Sequence, residues 1–334
     1  VVVEATRAAD VRKPKRISLD RGRVTLRRGS FLFACALIFG SAGLRAQDAV
    51  LPEGVQLVAP GVWFLEGDLN KGYANTTVIE MPQYLIVVDG SYPGRAKELL
   101  GILPKISPKP VKLVFDTHAH GDHAYGNSVW TAAGAQTMAF IGVKTDMDRW
   151  EPKRWQAAMA AREGVRATGE TDVQRPTKLI DDDHLELDEG GRKVEFLSFG
   201  WGHTQGDGYV WLPKERVLVT GDAAVNGPYN YLADAWIEHW PRVLEAAIEL
   251  RPEIVLPGHG PAGGPEILVG QRRFLMDLYR AVEEEVKFGR TPQQMRIVLP
   301  AWDKPWEPAN MMPDVEETYA EIRQHVPAGL IEHQ

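Results

Sequence analysis

The chain has 334 residues, 44% of them hydrophobic and 25% charged, with a formal net charge of −7 and a single cysteine. This length and balance suit one large globular domain with appendages. An acidic chain with no basic cluster in its folded part argues against a nucleic-acid partner, and one cysteine excludes an internal disulfide.

At the N-terminus, Arg27-Arg28 precedes an uncharged, mostly apolar run from Phe31 to Gly43, and small Ala46 stands just before Gln47. This reads as a signal peptide. The apolar run is shorter than the roughly 20 residues that a transmembrane helix needs. Residues 1–46 are therefore expected to be a leader that is removed together with Cys35, leaving an exported, periplasmic or secreted protein with no membrane anchor and no thiolate metal ligand. Arg27-Arg28-Gly29-Ser30-Phe31-Leu32 resembles a twin-arginine export signal.

Past the leader, short β-branched runs alternate with turn signals and helical stretches, the pattern of an α/β protein. Strands are predicted at Val55–Val58, Val62–Glu66, Thr76–Met81, Tyr84–Val88, Val111–Phe115, Val194–Phe199, Tyr209–Leu212, Val217–Thr220 and Ile254–Leu256. Helices are predicted at Arg95–Ile102, Asn127–Ala133, Val243–Leu250 and Glu266–Phe288. Residues 50–268 are expected to form the catalytic domain and 269–334 a helical C-terminal extension.

The strand Val111–Phe115 runs directly into Thr117-His118-Ala119-His120-Gly121-Asp122-His123, which packs three imidazoles and a carboxylate into seven residues. Neutral imidazole and carboxylate are ligands that suit zinc, and the i, i+2 spacing of His118 and His120 puts both rings on one side of extended chain. Asp122 and His123 follow as the chain turns, toward a second ion. Three further residues stand at the ends of apolar runs beside glycine: His203 in Gly202-His203-Thr204, Asp222 in Gly221-Asp222, and His259 in Gly258-His259-Gly260. Five of the nine histidines fall in these motifs; His184, His239, His325 and His333 sit among charged or polar neighbours and are expected to be solvated.

From about Val55 to about Gly270 the chain resembles the metallo-β-lactamase superfamily of metallohydrolases, whose pattern is His-x-His-x-Asp-His, then a distant His, an Asp or Cys, and a last His. Val87-Val88-Asp89-Gly90 also resembles that family's early strand, which ends in a buried Asp bracing the metal loops. The resemblance implies an α/β fold of the αβ/βα four-layer sandwich type. It implies two Zn²⁺, one held by His118, His120 and His203, the other by Asp122, His123 and His259, with Asp222 between them and Asp89 behind. True β-lactamases carry Cys or Ser where this chain has Asp222; an Asp there resembles glyoxalase II and lactonases. The implied reaction is cleavage of an activated acyl bond (ester, lactone, thioester or β-lactam) in a small-molecule substrate, by water whose pKa two metals lower toward about 7, with Asp122 handling the proton.

Two alternatives resemble the same motif: a β-lactamase proper, and a mononuclear Fe²⁺ oxygenase of the persulfide dioxygenase kind using mainly His118, His203 and Asp222. Two segments are expected to shape the pocket. Lys144 to Lys178, with Trp150, Trp155 and Met159 at helical spacing, reads either as core or as a lid. Tyr229, Asn230 and Tyr231, on a Gly-Pro turn after Asp222, are candidate substrate contacts.

Overall fold

The computed structural model describes residues 51–228, 231–300 and 311–331. The leader and its cleavage site, Tyr229, Asn230 and His333 lie outside the described residues. Twelve strands are described, in two sheets. The first sheet runs in sequence order: β1 Val55–Ala59, β2 Val62–Leu65, β3 Thr76–Glu80, β4 Leu85–Val88, β5 Val111–Phe115, β6 Gln136–Phe140 and β7 Lys178–Ile180. Its first four strands pair antiparallel, with short turns between β1 and β2 and between β3 and β4 and a longer connection, residues 66–75, between β2 and β3. From β4 onward pairing is parallel, so each connection must cross over, and helices do this. Helix α1 (Pro93–Ile102) joins β4 to β5, α2 (Gly121–Ala124) and α3 (Asn127–Ala132) join β5 to β6, and α4 (Ile141–Trp150), α5 (Lys153–Ala161) and α6 (Glu163–Arg166) join β6 to β7.

The second sheet comprises β8 His184–Glu189, β9 Arg192–Leu197, β10 Tyr209–Leu212, β11 Val217–Gly221 and β12 Ile254–Pro257, in the order β12-β11-β10-β9-β8. Its single parallel pair, β11 with β12, is bridged by α7 (Trp240–Glu249). Between the sheets, Phe64, Ile79, Ile86, Val88 and Phe115 of the first meet Phe196, Val210, Leu212, Val219 and Leu256 of the second in one buried cluster. The opposite faces are covered by helices. Ala96 and Leu99 of α1 and Trp130 of α3 pack on the first sheet; α7, α8 (Glu266–Lys287) and α9 (Met311–Gln324) pack on the second, with Phe274, Leu275, Leu278 and Val315 buried. Helix, sheet, sheet, helix is the expected four-layer sandwich with a helical C-terminal region.

The nine predicted strands and four predicted helices are all present, with ends shifted by at most three residues. Three strands escaped the sequence reading. β6 is Gln-Thr-Met-Ala-Phe, poor in β-branched residues, β7 is three residues long, and β8 alternates Leu185 and Leu187 with charge, as suits an exposed edge. No helix among the described residues is long and apolar enough to cross a membrane.

The layers matter for function because of where the strands stop. The C-terminal ends of β4, β5, β11 and β12 and the connection between β9 and β10 deliver Asp89, the Thr117–His123 segment, Asp222, His259 and His203 to a common rim.

Candidate metal centre

All seven motif residues converge there in two adjoining groups. His118, His120, His203 and Asp222 offer ligand atoms within 4.8 Å of one another, and so do Asp122, His123 and His259. In the first group His118 Nε2 stands 3.1 Å from His120 Nδ1, which stands 3.2 Å from His203 Nε2. In the second, His259 Nε2 lies 3.2 Å from Asp122 Oδ2, and His123 Nε2 lies 3.8 Å from the same oxygen. The Asp222 carboxylate stands between the groups: Oδ1 is 3.3 Å from His123 Nε2, while Oδ2 is 3.4 Å from His259 Nε2 and 3.8 Å from His203 Nε2.

Two glycines make that approach possible. A Cβ on Gly221 would lie 2.3 Å from Thr117 Oγ1, and one on Gly258 would lie 2.0 Å from Asp222 Oδ1. A side chain on Gly221 would force β11 away from the motif loop, and one on Gly258 would force β12 away from the end of β11.

The hydrogen bonds behind the rings assign their tautomers. His118 Nδ1 faces the Thr117 hydroxyl at 3.0 Å, and that hydroxyl donates to Asp89 Oδ2 at 3.0 Å. Its oxygen is then the acceptor of the His118 Nδ1–H. His120 Nε2–H donates to Asp234 Oδ2 at 2.7 Å. Both rings therefore turn lone pairs, not protons, on each other at 3.1 Å. Two bare lone pairs repel at that distance; a cation between them resolves the conflict. Imidazole nitrogens bound at 2.0–2.1 Å to a tetrahedral ion stand about 3.3 Å apart, so the spacing and the donor set both fit zinc.

Asp89 is 2% exposed and hydrogen-bonds to the motif segment. Its Oδ1 accepts from the Thr117 backbone N–H at 2.9 Å, and its Oδ2 faces His123 Nδ1 at 2.9 Å. Its φ of 65° lies in the left-handed region, where Asp is better tolerated than most residues.

Charge balances within the second group. Burial alone would lower the His123 imidazole, yet Asp89, Asp222 and Asp122 outweigh it and hold it well above the usual histidine range. His259 is likewise lowered by burial but carried up to about 9 by Asp222 and Asp122. In the first group burial, reinforced by neighbouring imidazoles, holds His118 well below that range and His203 down to about 3. Neutral imidazole is the form that binds a metal.

A cavity of about 350 Å³ opens beside the centre, lined by Tyr92, His120, Asp122, Arg154, Arg162 and Tyr231 among others. Tyr231 sits edge-to-face on His120, ring centroids 5.4 Å apart. The Lys144–Lys178 segment has two faces: Trp155 is fully buried in a cluster with Tyr125, Val143 and Met147, as the core reading expects, while Arg154, Ala157, Ala158 and Ala161 of α5 line the cavity.

Sequence reasoning missed three supporting residues. Thr117 lies inside the motif, and its hydroxyl next to a motif histidine was a readable signal. Asp207 accepts the backbone N–H groups of His203 and Thr204 at 2.6 and 2.9 Å, fixing the loop that carries His203. Asp234, 114 residues from its partner His120, carries no spacing signal. His239, expected to be solvated, is instead half-buried, stacked on Trp236 with Nδ1 2.8 Å from the Trp201 carbonyl. A third acidic group, His184, Glu186 and Glu195, lies on the exposed β8–β9 face, where Lys193 pairs with both glutamates.

A family model described as the metallo-beta-lactamase superfamily matches residues 69–259. A metallo-beta-lactamase type 2 from Bacillus cereus is 28% identical over 202 residues, 59% of this chain and 70% of that protein. The alpha subunit of 2,4-dinitroanisole O-demethylase from Nocardioides sp. (strain JS1661) is 28% identical over 195 residues, 57% of this chain and 54% of that subunit. Among solved structures, a metallo-beta-lactamase from Pontibacter korlensis has the same fold, with a TM-score of 0.54 and 20% identity over 66% of this chain and 98% of that one. The family match spans more than half of the chain and every one of the seven motif residues, so the protein belongs to the metallo-beta-lactamase superfamily of metal-dependent hydrolases.

Proposed function

We propose that the protein is an exported dinuclear zinc hydrolase that cleaves an activated acyl bond in a small molecule. The observation that carries this reading is the pair of adjoining His/Asp groups with Asp222 between them, open on one side to a cavity of about 350 Å³. His118, His120 and His203 would hold one ion, Asp122, His123 and His259 the other, and Asp222 would touch both. When bound, such a pair of ions supplies a water that ionises near neutral pH and a Lewis acid for the substrate carbonyl.

The chain's own residues do the rest. Asp122 faces the cavity with one carboxylate oxygen on His259; its other oxygen is the acceptor for the proton of the attacking water and the donor that returns it to the leaving group. Tyr231 and Tyr92 keep their phenol protons, since burial and then nearby Asp234 or Asp122 push each up to about 12. Both are donors for a substrate oxygen.

An Asp at position 222, in place of the Cys or Ser of true β-lactamases, favours ester, lactone or thioester cleavage over lactam opening. Export rests on Arg27-Arg28, the apolar run from Phe31 to Gly43 and Ala46. Metal analysis of the purified protein is the deciding measurement, paired with a hydrolysis screen of nitrocefin, lactones, glutathione thioesters, aryl esters and, given the demethylase relative, 2,4-dinitroanisole. Two zinc ions and fastest turnover of an ester, lactone or thioester are expected. One iron per chain would overturn the reading. So would a kcat/KM above about 10⁵ M⁻¹s⁻¹ on penicillins, with esters orders of magnitude poorer.

A further inference from the structure

The Asp234 carboxylate has two clients on opposite sides. Its Oδ2 takes the His120 Nε2–H at 2.7 Å and Arg154 Nη1 at 2.7 Å, while its Oδ1 takes Arg154 Nη2 at 2.8 Å. Arg154 belongs to α5, the helix that walls the cavity, and its guanidinium also lies over the Trp150 ring, 4.7 Å from the centroid. A bidentate guanidinium–carboxylate pair fixes both groups in one plane. Asp234 is itself held: its carbonyl accepts from Trp201 Nε1 at 2.9 Å, and the loop that follows it is pinned by Glu321 of α9, which accepts the N–H groups of Ile237 and Glu238 at 3.0 and 2.8 Å.

We propose that Asp234 and Arg154 are positioning residues that hold His120 in its Nε2–H tautomer, Nδ1 toward His118 and His203, and so make the substrate-facing wall α5 part of the first metal site. The inference rests on the metal-binding reading of His120. Without a carboxylate on Nε2, the ring is free to carry its proton on Nδ1, where it faces the two neighbouring nitrogens and blocks coordination. Without Arg154, Asp234 remains buried but loses the pair of donors that sets its plane. A metal-ligand histidine losing such a partner weakens binding about ten- to a hundredfold.

The test measures metal affinity, so it is read independently of any substrate. Metal-free protein is titrated with zinc against a chromogenic chelator, and with cobalt(II) followed by its visible spectrum. Asp234→Asn keeps the shape and removes the charge; it should weaken one zinc equivalent about ten- to a hundredfold, leave the other within about threefold, and shift the cobalt bands of that site. Arg154→Met should weaken the same equivalent by a smaller factor, with Arg154→Lys recovering part of the loss. If both variants titrate as wild type, or if both equivalents weaken together as a general loosening would give, the proposal fails. Should the wild type bind a single ion, the dinuclear reading fails, but the positioning role still requires that ion to weaken in Asp234→Asn.

Discussion

The two ligand groups are built from similar side chains but braced from opposite directions. His123 of the second group leans on Asp89, a fully buried carboxylate at the end of a central strand, and the same carboxylate reaches the first group through Thr117 to His118. His120 of the first group is braced by Asp234, on a loop between the second sheet and α7, and through it by the cavity wall. His123 is therefore braced from the core of the fold, and His120 from a loop and the cavity wall. Residues shared by both groups should disturb both ions, and residues private to one should disturb only that one.

Asp222 is the most widely shared, with oxygens 3.3–3.8 Å from histidines of both groups. Asp222→Ala should lower turnover by at least a thousandfold, on the order of the 4 kcal/mol that metal-assisted stabilisation supplies, while the sandwich still folds around the other six residues. Circular dichroism and steady-state kinetics on the best substrate measure both. Near-wild-type turnover would show that a carboxylate between the groups is dispensable.

Asp89 against Asp234 is the sharper contrast. Asp89→Asn should weaken both zinc equivalents, by about ten- to a hundredfold at His123 and less at His118, where Thr117 intervenes, whereas Asp234→Asn is confined to one. Chelator competition on the two variants side by side gives the comparison directly. In parallel, His118→Ala and His259→Ala should each empty mainly one site, read by elemental analysis. If the Asp89 and Asp234 variants show the same pattern of loss, the bracing is not divided as described.

Much of this was written in the chain, and the part that was not has a physical reason. Seven ligand-type residues at strand ends beside glycine are visible because coordination demands specific side chains and close backbone approach, as Gly221 and Gly258 show. Asp89 was visible because an Asp-Gly after Leu-Ile-Val-Val is an abrupt polar stop to a buried strand. Asp234 was not, since nothing in Leu-Ala-Asp-Ala-Trp distinguishes a buried carboxylate from a solvated turn; only the packing of the loop against α5 and the C-terminal helix gives it meaning. Strands β6, β7 and β8 were hidden for a related reason, being specified by their neighbours in the sheet more than by their own residues.

The groups also differ in how they answer to pH when metal-free. His259 is raised to about 9 in the folded chain, against about 6.5 unfolded, so folding takes up a proton between those values. That stabilising contribution is complete below about pH 6.5 and is lost as pH rises through about 9; stability must fall across the window. His203, lowered to about 3, is neutral in the folded chain throughout; its effect is small, opposite in sign and confined to the lower end of the window, where the unfolded imidazole is still partly protonated. The melting temperature of metal-free protein should therefore decline by a few degrees from pH 6.5 to 9, and zinc, which replaces the proton on His259, should flatten that slope. Scanning calorimetry across pH with and without zinc tests this. A metal-free melting temperature that rises over the same range would contradict the charge balance of the second group.

The smallest effect belongs to Tyr231, which touches only the first group. Its ring lies on the edge of His120 at 5.4 Å and of His203 at 6.3 Å, and its phenol, held up to about 12, stays a donor at working pH. Tyr231→Phe keeps the ring and removes the donor. Zinc content and affinity should be unchanged, because ring packing on His120 persists. Removal of one neutral hydrogen bond to substrate, worth about 0.5–1.5 kcal/mol, should lower kcat/KM by about two- to tenfold. A drop carried by KM would mark a contact made equally in the ground state, whereas a drop carried by kcat would mark donation to the oxygen that gains charge in the transition state. Weakened zinc binding in this variant would instead make the ring a third brace of the first site, and the cavity wall would matter to that ion even more than Asp234 and Arg154 require.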